Sequence, residues 1–156
     1  MKALLLLMLC VSLQGYTQDA GAFNKISVAV VNPLNFSLSN AMELLNPKVI
    51  NNALQLSVKI NKETANVYAQ INFSEVILND MNLFSLKLSN KTSPDAIVNS
   101  DAVVLSDVPM LLFTQPASLH GSRQHFFYYD LIMNPIRNMV PPGHYQFSIN
   151  FTITAQ

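Results

Sequence analysis

The C-terminal stretch PPGHYQFSINFTITAQ, residues 141–156, constrains the fold more than any other part of the chain. From Tyr145 to Ile153, large apolar residues alternate with polar ones without a break. A period of two puts every apolar side chain on one face of a β-strand. The Pro-Pro-Gly sequence at 141–143 cannot lie inside such a strand and predicts the turn before it. The chain must therefore supply a core that covers one face of this strand.

The rest of the chain contains further short runs that alternate or are rich in β-branched residues. They predict strands at 25–31, 34–38, 53–60, 65–73, 84–88, 102–105, 109–113 and 124–133. Turn residues separate these runs, and we find no long helical periodicity, internal repeat or parallel βαβ pattern. The pattern predicts an all-β fold, an antiparallel immunoglobulin-like β-sandwich of about seven to nine strands.

Two expectations concern how these strands pair. The runs 53–60 and 65–73 flank the short polar turn 61–64, which favours a β-hairpin. The run 124–133 contains QHFFYYDLIM and is aromatic on both faces. This predicts a central strand that is covered on both sides or adjoins a partner.

The N-terminus has the layout of a secretory signal peptide. Lys2 precedes an apolar run at 3–13, and small residues follow at Gly15 and Thr17. We therefore expect a signal peptide at 1–17, a flexible lead-in at 18–24 and one β-sandwich domain at 25–156. The apolar run is shorter than the roughly 20 residues of a spanning helix, so the mature chain should have no integral membrane segment. A buried N-terminal helix is the alternative.

These features predict an exported protein of the periplasm, cell surface or extracellular space. Cys10 is the only cysteine and lies in the predicted signal peptide, so the mature chain would have no disulfide, cysteine nucleophile or thiolate metal site. This cysteine usage is more typical of a bacterial envelope protein than of an animal secreted module. The formal net charge is zero and Lys and Arg do not cluster, which disfavours nucleic-acid binding.

His120, His125 and Asp130 are the one grouping of metal-ligand residue types that lie close together in sequence. Their spacing of five places neighbours on opposite sides of a strand, which disfavours a metal site. Asp130 is instead expected to be a structural carboxylate, with Arg123 and Arg137 as candidate partners. No nucleophile elbow, marked carboxylate pair or phosphate-binding loop occurs. We predict no enzyme activity, no catalytic residues and no cofactor or metal.

Phe126, Phe127, Tyr128 and Tyr129 form the candidate interaction surface. Aromatic side chains with a polar tip are favoured at protein interfaces and on sugar-binding faces. Alternation predicts that one pair faces the core, which leaves the other pair to face a ligand or a sister sheet. The alternative is that both pairs are buried.

Two sequence patterns carry a resemblance to known proteins: V-N-P-L-N-F at 31–36 and P-G-x-Y-x-F-x-I at 142–149. With the signal peptide and the strand layout, they resemble small exported bacterial β-sandwiches, which include spore coat protein U-type pilus subunits and WxL-type cell-surface domains. The resemblance implies an immunoglobulin-like fold and a surface, adhesive or assembly role. The chain departs from both groups, because it has no Trp for a W-x-L motif and no cysteine pair for the usual pilus-subunit disulfide.

Ile26, Val28 and Val30 alternate near the expected N-terminus of the mature chain. They fit either a donor strand that joins one subunit to the next or the first strand of a complete sandwich. We expect an exported, non-enzymatic structural or interaction protein of the bacterial envelope or surface, such as a fimbria-like or adhesive subunit. Protein partners or self-assembly follow from this expectation. The alternative is a monomeric β-sandwich module that binds glycan or peptide.

Overall fold

The computed structural model describes residues 10–11, 24–74, 82–118, 122–136 and 143–156. Most of the predicted signal peptide, lead-in residues 18–23, His120 and Arg137 lie outside the described residues. Ten strands are present in the described part of the chain: β1 (Cys10–Val11), β2 (Lys25–Val30), β3 (Lys48–Ile60), β4 (Ala65–Phe73), β5 (Phe84–Lys91), β6 (Ile97–Val98), β7 (Ala102–Val104), β8 (Met110–Gln115), β9 (Arg123–Met133) and β10 (Gln146–Ala155). A 3₁₀ helix, Ala41–Leu45, precedes β3.

The strands form two five-stranded sheets. Sheet I has the order β1-β10-β4-β8-β6, and sheet II has the order β2-β3-β9-β5-β7. The pairs are antiparallel except for β1, which runs parallel to β10. Buried side chains from both sheets form one core between them. The predicted all-β sandwich is confirmed, and the nine strands from β2 to β10 agree with the expected number.

The alternating sequence of β10 produces the expected division between core and solvent. Phe147, Ile149 and Ile153 are almost fully buried, whereas the polar residues between them face outward. On the facing sheet, the alternating residues of β9 do the same, and Phe127 stacks on Phe113 of β8 with ring centroids 3.8 Å apart. Burial of one such ring contributes about 1.5–3 kcal/mol to stability. The contact between the sheets therefore follows from the period of two in each strand.

The expected hairpin between residues 53–60 and 65–73 is wrong. β3 pairs with β2 and β9, whereas β4 pairs with β10 and β8. Residues 61–64 therefore carry the chain from one sheet to the other. Each strand has one apolar face, and that pattern is the same whether the two strands lie side by side or face each other across the core.

The predicted strand at 34–38 is an extended segment without a sheet partner in the described structure. Leu34, Phe36 and Leu38 are buried and the residues between them are exposed, as the alternation predicts. The ring of Phe36 lies 5.5 Å from that of Phe84. The alternation thus identified the buried side chains correctly, but the hydrogen bonding of a strand requires a neighbour that the pattern does not specify.

β3 begins before the predicted residue 53 because it contains a bulge. Its register with β9 shifts between Ile50 and Leu54, and Asn52 has φ 48°, a left-handed conformation that Asn tolerates better than most residues. The Asn52 amide donates a 2.7 Å hydrogen bond to Asp130 Oδ1. Ser89 Oγ donates to Asn52 Oδ1 at 3.0 Å. Asp130 thus has a structural role, and its partner here is a backbone amide of the bulge.

We expect Asp130→Ala to lower the free energy of unfolding by about 1–2 kcal/mol, because the Asn52 amide loses its acceptor. Chemical denaturation of the mature chain, residues 18–156, measures the change. Asp107→Ala, at an exposed loop position, is the matched control and should stay within about 0.5 kcal/mol of wild type. Equal stability of the Asp130 variant and wild type would contradict the proposed role.

The two faces of β9 give a second prediction. Phe127 is fully buried and Phe126 is only partly buried. We expect Phe127→Ala to destabilise the protein by about 3–5 kcal/mol through loss of apolar contacts and formation of a cavity. Phe126→Ala should cost about 1 kcal/mol or less. The same denaturation experiment measures both variants, and similar losses would show that the assignment of the faces is incorrect.

Candidate functional site

The aromatic residues of β9 divide between the core and the outer face of sheet II. β9 lies between β3 and β5, at the centre of its sheet, as predicted. Phe127 and Tyr129 point into the core with exposed fractions of 0% and 2%, and burial raises the pKa of Tyr129. Phe126 and Tyr128 point to the outer face and are partly exposed. Of the four candidate residues, the structure therefore places this outer pair alone where a ligand can reach it.

The residues directly opposite this pair on the outer face are polar and uncharged. Tyr128 lies opposite Gln55 of β3 on one side and Asn90 of β5 on the other. Phe126 lies opposite Ser57 of β3. Two rings on one strand, flanked by amide and hydroxyl groups, form a surface that suits ligands with both apolar and hydrogen-bonding groups.

The strands at the sheet edges differ greatly in length. The edge strands β1, β6, β7 and β2 have two, two, three and six residues, whereas β10, which lies beside the short β1, has ten. Proteins commonly protect an edge by shortness, charge, proline or a bulge, because an unpaired edge can bind another strand. β10 contains no charged residue or proline, and its register with β4 is unbroken over nine residue pairs. Its outer edge therefore has none of these protections.

The partner of this edge in the described structure is short. Cys10 and Val11 of β1 lie opposite Gln146 and Phe147, and no other described strand pairs with the outer side of β10. β1 belongs to the predicted signal peptide. Sequence analysis identified β10 as a half-buried strand but missed the edge, because a side-chain pattern does not show which neighbours a strand has.

Backbone geometry shows which groups face the open side. The Ser74 amide donates to the Gln146 carbonyl oxygen at 2.9 Å, so Gln146 directs its backbone groups toward β4. In an antiparallel pair, every second residue of β10 directs its backbone N–H and C=O groups toward β4. The residues between them direct these groups away from β4. The outward set is Phe147, Ile149, Phe151, Ile153 and Ala155. Among the described residues, most of this row has no strand partner, because β1 pairs with only two residues of β10.

The core is incompletely covered on the same side of the sandwich. The structure places Ile26, Val28 and Val30 in β2, paired with β3 of the same chain. Ile26 is 2% exposed, but Val28 is half-buried and Val30 is 44% exposed, although all three alternate onto one face. β2 also contacts β10 across the gap between the sheets. Apolar surface therefore remains accessible where the sheets separate.

A groove of about 250 Å³ opens beside the first residues of β10. Its lining residues come from the ends of two paired strands: Asn72, Phe73, Ser74, Gln146, Phe147 and Ser148. The rings of Phe73 and Phe147 lie 6.1 Å apart. The groove thus combines aromatic surface with the outward-facing backbone of Phe147, where β1 pairs.

His125 and Asp130, the described members of the candidate metal-ligand group, do not lie together. His125 and Asp130 lie on opposite faces of β9, as their odd spacing predicts. Among the described residues, no group of three or more His, Cys, Asp or Glu is positioned to hold a metal ion. None of the described helices is long and apolar enough to cross a membrane.

No protein-family model matches this chain, and no curated protein matches it in sequence. The function is therefore inferred from two surfaces of the molecule: the open edge of β10 and the outer face that carries Phe126 and Tyr128.

Proposed function

We propose that this protein is an exported, non-enzymatic structural subunit of the bacterial envelope or surface that assembles by strand addition at the outer edge of β10. The observation that carries the proposal is the ten-residue, uncharged edge, of which β1 pairs with two residues. In strand addition, backbone hydrogen bonds supply affinity and pockets for alternate side chains supply specificity. The outward backbone groups of β10 would make the hydrogen bonds, and the groove beside Phe147 would be a pocket for a side chain.

Removal of the signal peptide is part of this proposal. Cleavage after Thr17 would release Cys10 and Val11 from Gln146 and Phe147, so the mature chain would present the whole edge. The parallel pairing of β1 supports the proposal, because a strand already fits beside β10 without a change in the sheet.

We propose a second copy of the chain as the source of the added strand. Both β2 and β10 alternate apolar and polar residues, and in the described structure each has one side with few or no strand contacts. A second copy of the chain therefore carries strands with the same alternation as the edge that they would join. β10 has no charge, so like charges would not oppose its approach to a second copy. The resemblance to spore coat protein U-type pilus subunits agrees with this proposal, and a fimbria-like subunit is its specific form.

The test compares an edge variant with a variant one strand further in. Asn150 of β10 lies opposite Gln70 of β4, and both face the outside of sheet I. We expect the wild-type mature chain to form detergent-resistant oligomers that dissociate on boiling, since many backbone bonds must break together. Asn150→Lys should shift the protein toward monomer, because charge on an edge strand opposes further pairing. Gln70→Lys should assemble like wild type.

Electrophoresis with and without boiling, together with size-exclusion chromatography, measures these states. A single monomer band for the wild type at every concentration would contradict self-assembly. A monomer when purified but a larger complex in the native envelope would identify a different protein as the partner. Equal oligomers for both lysine variants would show that the edge of β10 is not the contact.

A second candidate function rests on the outer face of sheet II. Phe126 and Tyr128 are partly exposed, and Gln55 and Asn90 flank Tyr128, which favours a glycan- or peptide-binding module. If the protein binds glycan, Tyr128→Ala should abolish saturable binding on a glycan array and leave the fold intact. Tyr68→Ala, on the outer face of sheet I, is the control. Absence of binding across a broad panel would count against this function.

A further inference from the structure

A second recess, which we call the end recess, opens at the end of the sandwich near the 61–64 turn. It has a volume of about 220 Å³ and is lined by Asp95, Gln115, Pro116, Ala117, Ser118, Arg123 and His125. The Ser118 amide donates to the Asn61 carbonyl oxygen at 2.8 Å, which fixes the segment after β8 against the turn. β4 separates β8 from β10, so the end recess is distinct from the edge that the proposed assembly uses.

Gln115 is an unusual residue for its position. It lies on the same side of β8 as Phe113, which stacks on Phe127 in the core, and it is 3% exposed. Its Oε1 atom has no hydrogen-bond donor among the described residues. A buried acceptor left unpaired costs about 1–3 kcal/mol, a cost that a leucine would avoid. Because this atom has almost no accessible surface, the Gln115 side chain must turn toward the end recess before a ligand there can donate to Oε1.

The end recess also carries one cation and one anion. Burial, and then the neighbouring Arg123 cation, lower the pKa of His125 from its usual value, whereas Asp95 opposes the shift. Both charged side chains line the end recess together with His125. Within the described part of the chain, Arg123 and Asp95 do not form an ion pair with each other.

We propose that the end recess binds a free amino acid, with its carboxylate at Arg123 and its ammonium group at Asp95 and Gln115 Oε1. The planar guanidinium donates to both oxygens of a carboxylate. An ammonium group has three N–H donors, so it can donate to the Asp95 carboxylate and to Gln115 Oε1 at the same time. The volume is below the roughly 300 Å³ at which drug-sized sites begin, so a single amino acid fits better than a larger ligand.

The experiment is an NMR titration of the mature chain, residues 18–156, carrying Asn150→Lys, the edge variant that the assembly test expects to be monomeric, with glycine, L-alanine and D-alanine. Acetate and methylamine are probes that carry one charge each. We expect saturable shifts at the backbone amides around Gln115 and His125, with at least about tenfold weaker binding of either single-charge probe. Arg123→Gln and Asp95→Asn should each weaken amino-acid binding by about tenfold or more. Lys62→Gln, an exposed cation in the nearby turn, is the control and should change nothing.

Gln115→Leu separates a loss of binding from a loss of folding. It removes a buried unpaired polar group, so the variant should be as stable as the parent protein or more stable. It should also weaken amino-acid binding. Absence of saturable shifts with all three amino acids would overturn the proposal. Acetate binding as tight as glycine binding would also overturn it, as would an unchanged affinity of Gln115→Leu for the amino acids. Amino-acid binding is measured in Asn150→Lys, which does not need to assemble, so this site and strand addition can fail separately.

Discussion

The contact between the two sheets is the constraint on which the rest of the structure depends. Phe113 from sheet I and Phe127 from sheet II stack at 3.8 Å in its interior. The described chain has no helix layer on either sheet, so each sheet buries apolar surface chiefly against the other. That arrangement leaves both outer faces exposed, and those faces carry the polar residues of the alternating strands. It also requires the sandwich to end at open sides, where strands have one neighbour.

Backbone hydrogen bonding then distinguishes the open sides from one another. An unpaired edge accepts water or another strand, and the risk grows with its length and lack of charge. β6 and β7 are too short to bind a long strand, whereas β10 is long, regular and uncharged. The same side of the sandwich exposes part of Val30, and β1 pairs there with Phe147. Within the described residues, backbone of β10 that has no strand partner and partly exposed apolar surface therefore coincide, which is the combination that strand addition requires.

Sequence patterns predicted much of the fold and part of the candidate sites. The inner and outer residues of β9 and β10 follow the period of two, and the central position of β9 follows from its aromatic content on both faces. The predicted hairpin between β3 and β4 was wrong, because a four-residue turn can either close a hairpin or carry the chain from one sheet to the other. The end recess was missed because Asp95, Gln115 and Arg123 come from separate parts of the chain and meet only in three dimensions.

The sequence by itself determined which face of each strand is apolar, since alternation depends only on the local geometry of an extended backbone. It also determined that the fold is built of strands, because no segment has the periodicity of a long helix. The tertiary structure decided which strands are neighbours, which edge remains open and which polar groups share a recess. These properties depend on contacts between residues far apart in the chain. No local pattern specifies such contacts, because several pairings bury the same apolar faces equally well.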